Sequence, residues 1–228
     1  MTLTVYKELE QGTHEWLQAR CGLLTASVIG QLITPKTVKV ADNDTSRSLV
    51  ATLAAERITR HVEDTNQSWA MLRGTLDEPF AREAYAKQQG VQVDEVGFMV
   101  RNYGDYSIGY SPDGLVSDVG LIEIKSRDQK IQLQTIIRDE VPAPNMAQLQ
   151  TGLLVKDAAW IDYVSYCGGM PLYIKRVYPD PKWQDAIHEA ATRFEQAATD
   201  IIIDYTEAVE GAPLTERIDH NLDGDMEL

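Results

Sequence analysis

The spacing of apolar residues in this 228-residue chain changes along its length, and that change limits the fold more than any other feature. Over the first 70 residues the spacing is helical. "THEWLQAR" opens one predicted helix, "TASVIGQLI" a second with Thr25 or Ser27 placed as its cap, and "SRSLVATLAAERITRHV" a third. The polar loop "TPKTVKVADND", holding Lys36 and Lys39, separates the last two. A further helix is predicted through "TLDEPFAREAYAKQQG", with Gly90 as its C-cap. The period then falls to two: "VQVDEVGFMVR", "YSIGYSP" and "GLIEIKS" read as a meander of three strands with turns containing Gly or Asp. A helix over about 145–155 follows, then two strands, "AWIDYVSYC" and "PLYIKRVY". Last comes a helix whose Trp183, Ile187, Phe194, Ile201 and Tyr205 form one apolar stripe, suited to lying on its own sheet or to an oligomer seam. Helices first, then a sheet interrupted by one helix, predict an α/β (α+β) domain with a mixed central sheet flanked by helices.

The length suits one domain with a substantial core. The reading is a single domain over 1–210, with a helical part at 1–72 and a core at 73–210, and a mobile acidic tail over 211–228. No apolar run is long enough for a membrane span, and the N-terminus has no signal-peptide pattern. Cys21 and Cys167 lack any metal-site spacing, so reduced thiols in a cytoplasmic protein are expected. A net charge of −14 looks hostile to nucleic acid. From Asp180 onward, however, 13 acids face 3 bases, so most of the acidity is C-terminal.

The chemistry concentrates in "GYSPDGLVSDVGLIEIKS", residues 109–126. Side chains alternate faces along a strand, so Ile122 and Ile124 point one way and Glu123 and Lys125 the other, the latter as a charged pair at the strand's exposed end. Pro112 and Gly114 make a turn at Asp113. If the strand ending at Tyr110 pairs antiparallel with the one holding Glu123, Asp113 returns beside Glu123. Two carboxylates held together repel unless a cation lies between them, and hard oxygen ligands suit Mg²⁺ or Mn²⁺. A lysine beside such a site orients or deprotonates a water and stabilises phosphate charge. The set fits metal-assisted phosphodiester hydrolysis, and Asp-x₉-Glu-x-Lys is the PD-(D/E)xK nuclease pattern. The bland alternative is a solvated surface pair beside a common turn.

Five blocks in order, "WLQARCGLLTAS", "RGTLDEPFAREAY", "SPDGL", "GLIEIKS" and "MAQLQ", resemble the phage lambda exonuclease family of YqaJ-type viral recombinases, over residues 16 to about 155. That resemblance implies a restriction-endonuclease-like core and a 5′-to-3′ exonuclease on duplex DNA ends. Such an enzyme releases 5′-mononucleotides and leaves a 3′ single strand for an annealing partner protein. It also implies one or two Mg²⁺ or Mn²⁺ ions per site and a homotrimeric ring. Carried over, Asp113, Glu123 and the Ile124 carbonyl are metal ligands, Lys125 handles the attacking water, and Glu78 supports the second metal or its waters. Thr75-x-x-Glu78 also fits a capping box. Arg20 and Ser27 match the 5′-phosphate pocket, Gln148 a contact near the scissile bond, Met71 a wedge between the first base pairs, and Lys36 a contact to incoming duplex. Met71 also reads as core, and Gln148 and Ser27 as a solvated amide and a helix cap. Asn145 stands where the lambda protein has an aromatic. The alternatives are an internally cutting PD-(D/E)xK endonuclease or repair nuclease, and a non-catalytic interaction protein on the same fold.

Overall fold

A computed structural model describes residues 1–63 and 68–217. The chain opens with a strand, β1 (Thr2–Tyr6), so the N-terminal part is not purely helical. α1 (His14–Arg20) follows, its first turn capped by the Thr13 hydroxyl. The helix predicted over "TASVIGQLI" shrinks to one 3-10 turn, Ile29–Leu32. The backbone before it is already committed: Thr25 forms a parallel bridge with Gly109, and Ala26 N–H donates to the Gly109 carbonyl at 2.8 Å. Ser27 therefore caps no helix. The loop around Lys36 is a small hairpin of β2 (Ile33–Thr34) and β3 (Lys39–Val40).

α2 (Asp44–Thr59) starts at a capping box of Asn43 and Ser46 and ends at Arg60 in the left-handed region. α3 (Trp69–Gln89) is capped by Ser68 and closed by Gly90, as expected for Gly at that end. Because α3 begins six residues before Thr75, that residue lies inside the helix, and the Thr75–Glu78 capping box does not exist. The boundary drawn at 72/73 also falls within α3.

The strands form two main sheets instead of one meander. β1, β4 (Phe98–Asn102) and β5 (Ser107–Tyr110) make an antiparallel sheet in the order β1-β4-β5. The second sheet holds β6 (Gly114–Val116) and β7 (Gly120–Ser126), then, after α4 (Gln129–Arg138) and α5 (Ala143–Lys156), β8 (Trp160–Tyr166) and β9 (Tyr173–Val177). Its order is β6-β7-β8-β9, with only β7 and β8 parallel. α6 (Pro181–Ala208) ends the regular structure.

Pleat alternation on the second sheet produces two cores. Ile122, Ile124 and Val164 face α3, where Ala81 and Tyr85 meet them. Leu121, Ile161 and Tyr163 face the larger core, shared with Leu149 and Leu153 of α5 and Trp183, Ile187 and Phe194 of α6. Each such side chain contributes about 1.5–3 kcal/mol by leaving water. The apolar stripe of α6 thus lies on its own domain, and Arg57 of α2 clamps Glu195 of α6 with two bonds of 2.6 and 2.9 Å.

Candidate active site

A cleft of about 490 Å³ opens where the two sheets meet, at the link Ser111–Asp113 between β5 and β6. The expected pairing of the Tyr110 strand with the Glu123 strand does not occur. The short strand β6 pairs with β7 instead, with Gly114 opposite Ile122, and so carries Asp113 alongside Ile124. The Asp113 carboxylate accepts the Ile124 N–H at 2.6 Å. One residue before Ile124, and so on the opposite face of the pleat, Glu123 is 1% exposed, deep in the sheet and not at its exposed end. It accepts from the Tyr110 hydroxyl at 3.1 Å and from the Lys125 ammonium at 2.7 Å.

Burial, then the neighbouring Glu123 charge, pushes the Asp113 carboxyl well above the usual carboxylate range. Burial likewise raises Glu78, against the pull of Arg82. For Lys125, burial favours the neutral amine, but Glu123 and Asp113 outweigh it and the net shift is upward. The site is an acid pair under mutual repulsion, answered by one ammonium.

Among the described residues no three His, Cys, Asp or Glu side chains converge as a ready-made metal cage. Asp113, Glu123 and the Ile124 carbonyl, which line the cleft together, would offer a cation oxygen donors only, two of them carboxylates. That fits a small hard cation that keeps several waters, such as Mg²⁺, better than an ion needing a full protein shell.

Arg20, Ser27, Met71, Glu78, Ile124 and Gln148 line the same cleft as Asp113, Glu123 and Lys125. Arg20 Nη2 donates to Ser27 Oγ at 3.0 Å, and the guanidinium stacks 3.9 Å from the Trp16 ring centre. Burial lowers the Arg20 pKa to about 10, with the Glu56 charge opposing. Trp16 is itself fixed by its indole N–H to Ser111 Oγ at 3.0 Å, which ties this corner to the Asp113 link. Met71 is 55% exposed, so its core alternative does not hold. Lys36 sits exposed between β2 and β3 and does not line the cleft.

Several side chains that shape the site escaped the sequence reading. Arg82 bonds Glu78 one turn back on α3 and donates to the Asp113 carbonyl at 2.9 Å, so it holds the helix to the link. Its i,i+4 spacing from Glu78 was a visible signal; its bond to Asp113 was not. Ser126 accepts from Arg73 at 3.0 Å and donates to Asp77 at 2.6 Å, which locks α3 to the end of β7. Arg127 also lines the cleft.

A mixed sheet between helices, with an acid before one strand and Glu-x-Lys on the next, defines a nuclease-type α/β domain. The chain belongs to the YqaJ-like viral recombinase domain family, whose profile matches residues 15–159. It is similar to an alkaline exonuclease, LHK-Exo, from Laribacter hongkongensis: the TM-score is 0.78 at 30% identity, covering 87% of this chain and 98% of that one. The structure of LHK-Exo in complex with dAMP aligns with TM-score 0.76 and 31% identity over the same shares. A phage related exonuclease from Haemophilus somnus 129PT shares the fold, with TM-score 0.59 and 14% identity over 80% of this chain and 96% of that one. No curated protein sequence matches this chain significantly.

Proposed function

We propose that this protein is a metal-dependent exonuclease that degrades linear duplex DNA from 5′ ends, releasing 5′-mononucleotides and leaving a 3′ single strand for an annealing protein. The observation that carries this reading is the meeting, in one cleft, of the Asp113, Glu123 and Lys125 set with the Arg20 and Ser27 pair. Membership of a family with an alkaline exonuclease as a relative supports it. So does the dAMP complex of that relative, since a deoxynucleoside monophosphate is what such hydrolysis yields.

Asp113, Glu123 and the Ile124 carbonyl hold Mg²⁺ or Mn²⁺, and Glu78 supports a second ion or its waters. Such an ion, when bound, would supply a water of lowered pKa and offset phosphate charge. Lys125 orients the attacking water and offsets charge building on the phosphate. Arg20 and Ser27 receive the 5′-terminal phosphate, so a phosphorylated end satisfies the buried guanidinium and a hydroxyl end does not. Gln148 touches the region of the cut bond, and exposed Met71 parts the first base pairs. Lys36, away from the cleft, meets duplex still to be threaded. Three copies in a ring would turn these cations inward and leave the acidic C-terminal stretch outside.

The test is product analysis on a duplex labelled at either its 5′ or its 3′ end, with and without Mg²⁺. Mononucleotides released only from 5′ ends, only with metal, are expected. Release from 3′ ends, or nicking of a closed circle, overturns the assignment in favour of another polarity or an internal cutter.

A further inference from the structure

We infer that Arg127 is a second phosphate seat in the cleft, separate from the Arg20 and Ser27 pair, and that Asn145 holds it in place. The inference rests on the nuclease reading above and adds a residue to it. Arg127 leaves the end of β7 two residues after Lys125, with its backbone N–H bonded to the Tyr166 carbonyl at 2.8 Å. Its half-buried side chain lines the cleft with Lys125 and the acid pair. Nη2 donates to Asn145 Oδ1 at 2.9 Å and to the Tyr163 hydroxyl at 3.3 Å, so the fork is gripped from the first turn of α5 and from β8. Both acceptors are neutral.

Two other half-buried arginines face carboxylates, Arg57 meeting Glu195 and Arg82 meeting Glu78 and Glu95, whereas Arg20, in the proposed 5′-phosphate pocket, meets hydroxyls and the Trp16 ring. Among the described residues Arg127 has no such ion pair, and its Nε is the one buried side-chain nitrogen or oxygen without a hydrogen-bond partner. Desolvating a guanidinium with no counter-charge, and leaving a donor unmet, opposes folding unless something else answers both. A phosphate in the cleft supplies the missing counter-charge, and a planar fork held through Nη2 leaves Nη1 to donate to it. Proximity to Lys125 places that phosphate on the strand being cut, beside the hydrolysed bond.

The test is equilibrium binding of a fluorescent duplex end across a salt series, in EDTA so that nothing is cleaved. Variants are Arg127→Gln, which retains donors for Asn145 and Tyr163 without the charge, Arg127→Lys and Asn145→Ala. Arg127→Gln is expected to weaken binding about 10-fold and to flatten the log K against log salt slope by about 0.7–0.9, the loss of one phosphate contact. Arg127→Lys should retain the slope with part of the affinity, and Asn145→Ala should retain the slope while binding more weakly. The Arg127→Gln loss should be equal on 5′-phosphate and 5′-hydroxyl ends, whereas that of Arg20→Ala should shrink on hydroxyl ends. An unchanged slope in folded Arg127→Gln overturns the seat; should that variant not fold, a flattened slope in Arg127→Lys overturns it. Absence of salt-dependent duplex binding in the wild type overturns the nuclease reading itself.

Discussion

Lys125 is bound to Glu123, while the Asp113 carboxylate is held by a backbone N–H, so negative charge at the site exceeds what the lysine neutralises. Replacing Asp113 by Asn retains an acceptor for Ile124 and removes that excess. In EDTA, Asp113→Asn is expected to be more stable than wild type by about 1 kcal/mol in urea titration, and to lose the stabilisation that added Mg²⁺ gives wild type. Lys125→Ala is expected to cut turnover at least about 100-fold while duplex ends still bind, and retained turnover would remove the lysine from the chemistry. Arg20→Ala should erase the preference for 5′-phosphorylated ends in rate comparisons on matched duplexes. At this scale Glu123 and Lys125 were legible because strand alternation alone puts them on one face, whereas Asp113 reaches them through β6 and not through the expected pairing of the Tyr110 strand. Tyr110, Arg127 and the bond from Arg82 to the Asp113 carbonyl were not, because each joins groups on different elements, which spacing within one element does not encode.

Elements position these groups by close approach. Gly152 lets α5 sit against Tyr110: a Cβ there would lie 2.7 Å from the ring. Gly152→Ala is expected to cost about 1–3 kcal/mol in urea titration and, by displacing the Tyr110 hydroxyl from Glu123, to lower activity as well. α6 is tied to the β4–β5 turn through His188, whose Nδ1 lies 2.5 Å from the Tyr106 hydroxyl while Tyr103 meets the ring edge-on. Burial lowers the His188 pKa, with Asp185 opposing. The unfolded chain therefore takes up the proton first on acidification. The stability this group contributes is complete above about pH 6.5 and is lost as pH falls from there through the folded-state value. His188→Gln should remove that part of the slope in thermal melts across the window. The apolar stripe made α6 readable, and runs of good helix formers did the same for α2, α3 and α5. The segment over 25–33 misled because its backbone is claimed by Gly109, far along the chain. α4 was overlooked although Asp128 caps it, because buried Gln132 and Thr135 break its apolar face.

Across the whole molecule, the mixed sheet between helices follows from the order of elements, and the division into two sheets does not. The meander already pairs "YSIGY" with β4 across a short turn; nothing local says that the chain then leaves that sheet at Ser111–Asp113 and that β6, not β5, pairs with β7. The extreme acidic end, 218–228, lies outside the described residues, and none of the described helices is long and apolar enough to cross a membrane. If binding requires threading an end, affinity for closed circular duplex at physiological salt should fall far below that for a linear duplex of equal length, and equal affinities would contradict a ring. The link that carries Asp113 has a further consequence. The acid before β6 and the acid within β7 are brought together by the short β6–β7 pairing and the bond from the Ile124 N–H to Asp113, not by the fixed pitch of a single strand. Fraying that pairing separates them. A half-folded copy therefore loses the acid pair as a unit, so the chemistry proposed for it belongs to the folded molecule alone.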